Sequence, residues 1–146
     1  MTAPTVKHVD GIKIHGFSTR TQNSDELNEE TAKIPDIWQK FYASPLVNNP
    51  EIYGVYSDYA SDANGLYTVL AGVPFDSKKT YLDHMTIQPG NYLVFENEGP
   101  MPETVIKTWQ EIWAYFNDTS PYQRNFLSDF EFYTSTDKVA IYIGIK

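Results

Sequence analysis

The signals for secondary structure run through one order and then run through it again, and this repetition limits what the chain can fold into. Ile12–Phe17 alternates as a strand does. A polar, acidic stretch over residues 21–30 leads into a helix, where Ile34, Ile37, Trp38, Phe41 and Tyr42 recur at helical spacing and Pro35 occupies the first turn. Residues 45–50, with a proline at each end, stop that helix. β-rich runs at 52–59 and 66–73 flank Ser-Asp-Ala-Asn-Gly at 61–65, the chemistry of a hairpin turn. Residues 74–90 read as a linker. Asn91–Glu96 is then a strand, and residues 99–102 break it and open a helix with Val105, Trp109, Ile112, Trp113 and Phe116 along one side. Strands over 126–134 and 138–145, joined by a turn at 135–137, end the chain.

Both halves, about residues 5–75 and 88–146, therefore read β-α-β-β, and the match reaches individual residues. Trp38-Gln39 answers Trp109-Gln110, Tyr53-Gly54-Val55-Tyr56 answers Phe130-Glu131-Phe132-Tyr133, and Gly72-Val73 answers Gly144-Ile145. The expected fold is α+β: a single domain over 1–146 in which a tandem βαββ repeat forms one antiparallel sheet, with two helices on one face and a central ligand groove on the other.

Composition narrows the functions such a sheet can have. The formal net charge of −8 on 146 residues argues against a nucleic-acid surface, which needs clustered Lys and Arg. The absence of cysteine removes thiolate metal sites, disulfides and cysteine nucleophiles. His8, His15 and His84 lack metal-ligand spacing, so neither a metal nor a cofactor is expected. No apolar run approaches a membrane span and the first residues carry no secretory signal, so the chain reads as soluble and cytoplasmic, with no membrane partner. The unusual figure is the aromatic content of 15%.

Strand parity assigns those rings to faces. Phe130 and Phe132 point one way and Asp129, Glu131 and Tyr133 the other; packing the phenylalanines under the helices leaves Glu131 and Tyr133 on the helix-free side. The repeat then places Tyr53 and Val55 under the helices and turns Gly54 and Tyr56 outward, with Gly54 leaving room beside the carboxylate. Val139, Ile141, Ile143 and Ile145 form a core row, which turns Tyr142 to the groove; Thr68 and Leu70 face it from the first hairpin. Trp38 and Trp109 read as core residues whose edges reach the groove. One carboxylate among rings suits a cation, through charge and through the ring faces. Alternation alone leaves a second reading open, in which Glu131 is solvated and its tyrosine neighbours are ordinary cross-strand pairs.

These segments resemble the GyrI-like, or AraC-type effector-binding, family over nearly the whole chain. The resemblance rests on residues 34–38, 53–56, 65–73, 92–102, 108–113 and 130–133, above all Ile-Pro-Asp-Ile-Trp, Thr-Trp-Gln-Glu-Ile-Trp and Phe-Glu-Phe-Tyr. It implies a ligand groove in which Glu131 meets a cation and Tyr142 lines the wall, with Gly54 and Tyr56 as first-half counterparts. The ligand domain is expected to take up these 146 residues without a helix-turn-helix, so a direct role as a transcription factor is not expected unless a partner supplies the DNA-binding part. The expected function is a stand-alone binding protein for amphipathic, cationic aromatic compounds, with Glu131, Tyr133, Tyr142, Tyr56, Trp38, Trp109 and Leu70 as ligand contacts. Two alternatives stand beside it. One is a GyrI-like hydrolase of reactive small molecules using Glu131 with Tyr133 or Tyr142. The other is a module that binds a protein partner, a gyrase or a regulator, through its acidic surface.

Overall fold

The computed structural model describes residues 4–62, 64–75, 82–117 and 120–146. Ala63 of the expected hairpin turn and residues 76–81 of the expected linker lie outside the described residues. Eight strands form one antiparallel sheet: β1 (Thr5–Val9), β2 (Ile12–Thr21), β3 (Ile52–Ser57), β4 (Tyr67–Pro74), β5 (Asp83–Ile87), β6 (Gly90–Glu98), β7 (Arg124–Ser135) and β8 (Lys138–Ile145). The helices are a single turn, α1 (Asn23–Glu26), then α2 (Ile34–Tyr42), a 3-10 turn at Pro45–Asn48, and α3 (Glu103–Asn117). None of these helices is long and apolar enough to cross a membrane.

The order across the sheet, β1-β6-β8-β7-β3-β4-β2-β5, reads the same from either end once each strand is replaced by its repeat partner. The duplication is therefore present in the topology, with a pseudo-two-fold axis between β7 and β3. Each half also carries one strand more than expected. β1 and β5 precede β2 and β6 in sequence yet pair with the opposite half, β1 on β6 and β5 on β2. By exchanging these outer strands, the halves close each other into one unit.

Glu26, in the polar, acidic stretch that leads into α2, anchors the start of that helix. Its carboxylate accepts the backbone N–H of Lys33 at 2.9 Å and of Ile34 at 3.0 Å, where a helix leaves donors unpaired and favours negative charge. Ile37 and Phe41 are then buried as α2 packs on β2 and β4. In the second half α3 packs on β6 and β8, where Ile112 meets Leu93, Phe95, Val139, Ile141 and Ile143.

The face assignment of the aromatic strand is the reverse of the expected one. Phe130 and Phe132 point away from the helices, together with Tyr53, Val55, Leu70 and Ile14. That face is not open, because the sheet curls and β5 reaches across it to β3 and β7. Gln88 donates its backbone N–H to Ser128 Oγ at 3.0 Å, and Tyr92 and Ser128 share a hydrogen bond at 2.7 Å. With both faces buried, apolar content cannot tell which one lies under the helices. The Val139–Ile145 row does face α3, and in register Glu131 stands opposite Ile141, which brings Glu131 to the helix side.

Leu70 and Tyr142, expected as ligand contacts, belong to the curled face. Leu70 is fully buried among Ile14, Val55 and Phe130. Tyr142 stacks on Phe130 at 4.4 Å between ring centres. Leu70→Ala is expected to lower the unfolding free energy by about 2–5 kcal/mol in urea melts, the cost of a buried leucine. A loss below about 0.5 kcal/mol would place Leu70 on a surface instead.

Candidate functional site

The structure gathers Glu131, Tyr133, Tyr56, Trp38 and Trp109 in one place, on the sheet face beneath the gap between α2 and α3. Gly54 and Glu131 are direct register partners on β3 and β7, and the repeat also aligns them with one another. They therefore lie where the pseudo-two-fold axis crosses the sheet. Each helix sends its repeated tryptophan toward this point from its own side.

Glu131 is only 3% exposed. Its Oε2 accepts from Trp109 Nε1 at 2.7 Å and from the Tyr56 hydroxyl at 2.8 Å; its Oε1 accepts from the Tyr133 hydroxyl at 2.7 Å. The rings interlock around it, Tyr56 edge-on to Trp109 at 5.2 Å and Trp38 edge-on to Tyr133 at 5.5 Å. Gly54 is what makes the arrangement fit. A Cβ at this position would stand 2.7 Å from Glu131 Oε1 and 3.0 Å from Trp38 Cζ2.

The electrostatics follow from this enclosure. Burial pushes the Glu131 carboxyl above its ordinary value of 4.5, while the hydrogen bonds from Trp109, Tyr133 and Tyr56 act in the opposite direction without cancelling that rise. Burial first, and the field of Glu131 second, push the Tyr56 and Tyr133 hydroxyls well above their ordinary range, so both keep the protons they donate. Tyr42, 60% exposed on the outer side of α2, is raised by the same two causes. It stacks obliquely on Trp38 at 5.9 Å, as Trp113 does on Trp109 at 6.1 Å. The sequence sets Tyr42 and Trp113 in the apolar stripes of their helices and not among the expected ligand contacts, although the one-turn spacing of each ring from its tryptophan signals the pairing.

Among the described residues the ion pairs are Lys7–Glu96, His8–Asp10 and Arg124–Asp129. Glu131 has no cationic partner among them. Two cavities open elsewhere, one of about 330 Å³ lined by Phe17, Leu46 and Asp83 and one of about 690 Å³ beside Glu96, Thr134 and Lys138; neither touches Glu131. No cluster of His, Asp and Glu suited to a metal ion stands among the described residues. Tyr142, expected as an acid–base assistant, is on the far side of the sheet from Glu131.

Two predictions follow from this geometry. Because the folded carboxyl holds its proton more tightly than the unfolded one, the stability tied to its protonated form is complete below pH 4.5 and is lost as pH rises through the higher folded value. Urea melts across pH 4 to 8 should show Glu131→Gln gaining on the wild type as pH rises, then levelling; a pH-independent gap would contradict the raised carboxyl. Separately, Gly54→Ala should destabilise by about 1–3 kcal/mol through overpacking, and an unchanged melt would show the space is not needed.

Comparison with known proteins gives concordant matches. The family described as Cass2, integron-associated effector binding protein, matches residues 5–145. YobU of Bacillus subtilis (strain 168), which carries a transcriptional-regulator name, is 32% identical, with 97% of this chain and 96% of that protein covered. An integron cassette protein from the mobile metagenome of Vibrio cholerae superposes with a TM-score of 0.91 at 34% identity, covering 99% of this chain and 96% of that one. SAV2435, solved with tetraphenylphosphonium bound, superposes with a TM-score of 0.77 over 99% and 94% of the two chains; at 18% identity the likeness is one of fold.

Proposed function

The chain belongs to the Cass2 family of integron-associated effector-binding proteins, and we propose that its effectors are amphipathic cations bearing aromatic groups, received at Glu131 between α2 and α3. The observation that carries this reading is a buried carboxylate with three neutral donors and no cation beside it among the described residues. Neutral donors satisfy its hydrogen-bonding needs but leave its charge uncompensated, and an uncompensated charge out of water is costly. A ligand cation supplies what is missing. Tyr56, Tyr133, Trp38 and Trp109 supply ring faces that attract the same cation and bury its apolar groups.

The carboxylate is covered, so binding requires the rings to part. Tyr42 and Trp113, 60% and 39% exposed, stand at the outer ends of the two ring pairs and are the first groups an entering ligand meets. The breadth expected of such a site comes from flat, repackable walls, with the single charge as the fixed requirement.

The test is a titration of intrinsic tryptophan fluorescence with tetraphenylphosphonium, since Trp38 and Trp109 line the site. Wild type should bind saturably, and Glu131→Gln should bind about tenfold more weakly or worse. Equal affinity in the two proteins would remove Glu131 from the function.

A further inference from the structure

Two residues before Glu131, on the same face of β7, lies a second buried carboxylate that the structure treats differently. Asp129 is fully buried. Its Oδ2 accepts from Arg124 Nη2 at 2.6 Å and from the Tyr59 hydroxyl; its Oδ1 accepts the backbone N–H of Gly144 at 2.9 Å. The Arg124 side chain is itself only 8% exposed, with its guanidinium over the ring of Phe126 at 4.5 Å and near that of Tyr59 at 5.9 Å. Its Nε has no hydrogen-bond partner among the described residues, so the placement serves charge more than complete hydrogen bonding.

The chain deforms to put Arg124 there. The pairing of β7 with β8 slips between Arg124 and Asp129, and Phe126 inside the slip takes a φ of 54°, a conformation that non-glycine residues rarely adopt. One carboxylate of the face is thus neutralised by an irregularity of its own strand. Among the described residues, the other is served by uncharged donors alone. Positions i and i+2 of a strand lie about 6.6 Å apart, so a free charge on Asp129 would act strongly on anything bound at Glu131.

Resting on the reading that Glu131 receives a cation, we infer that Arg124 is a specificity-determining residue that fixes the charge count of the site. By cancelling Asp129 it leaves one negative charge facing the ligand, and so selects compounds with one positive charge over those with two. Removing Arg124 while keeping Asp129 converts the site to one suited to dications whose charges are separated by about the same two-residue span.

Ethidium and propidium test this, because they share one ring system and propidium adds a second, quaternary ammonium on a short arm. Affinities are measured by dye fluorescence at pH 8. Wild type should bind ethidium in a Glu131-dependent way, and Arg124→Met should raise the affinity ratio of propidium to ethidium by about tenfold. Arg124→Lys should keep the wild-type ratio, which a purely structural role would not predict. An unchanged ratio in folded Arg124→Met overturns the inference and leaves the cation site standing. Ethidium binding that ignores Glu131→Gln overturns the reading beneath it. Should circular dichroism show that Arg124→Met does not fold, Asp129→Asn and the double variant R124M/D129N replace it. The first leaves an unpaired guanidinium near the site and should weaken ethidium about tenfold; the second removes it and should restore binding. Equal ethidium affinity in these two overturns the inference.

Discussion

A carboxylate held out of water, with no counter-charge beside it among the described residues, dictates the rest of the site. Glu131 needs donors on both oxygens, and they come from three elements: Trp109 on α3, Tyr56 on β3 and Tyr133 on β7 itself. Each donor is uncharged and aromatic. The enclosure therefore satisfies hydrogen bonding, excludes water and leaves the charge standing, and these are the conditions under which a cation between ring faces is held strongly.

Symmetry explains why there is one such group and not two. The halves meet across β3 and β7, and the axis passes through the Gly54–Glu131 pair. Side chains on the axis compete for the same space, and even a methyl group at 54 would press on the carboxylate. A duplicated fold of this kind can carry a large residue at the axis in one half only. The exchanged outer strands add to this interdependence, since each half contributes an edge to the other and the axis is held from both sides.

Much of this was legible in the residues. The Trp-Gln repeat and the alignment of Gly54 with Glu131 gave the doubled architecture, and parity grouped Glu131, Tyr133 and Tyr56 correctly with one another. What parity could not supply was the face. Phe130 and Phe132 would ordinarily mark the covered side of a half-wet sheet, but here the curl buries the second side as well, so both sides carry apolar residues. Tyr142 does lie on the helix-free side, as the parity of β8 implies; what separates it from Glu131 is the reversed face of β7, whose register sets Tyr142 opposite Phe130 and Glu131 opposite Ile141. β1 and β5 were missed because they are short and mixed in polarity, and their partners lie in the other half. Arg124 offered no local signal at all, since its pairing with Asp129 depends on a strand irregularity.

The most direct measurement is the anomalous scattering of arsenic in crystals of the protein with tetraphenylarsonium, a heavier relative of the phosphonium ion. The account predicts a single strong peak beneath the gap between α2 and α3, within about 6 Å of the Glu131 carboxylate, with the tryptophan and tyrosine rings parted around it. A peak in either of the surface cavities, or on the Phe130–Tyr142 face, with Glu131 still enclosed by its three donors, would contradict it.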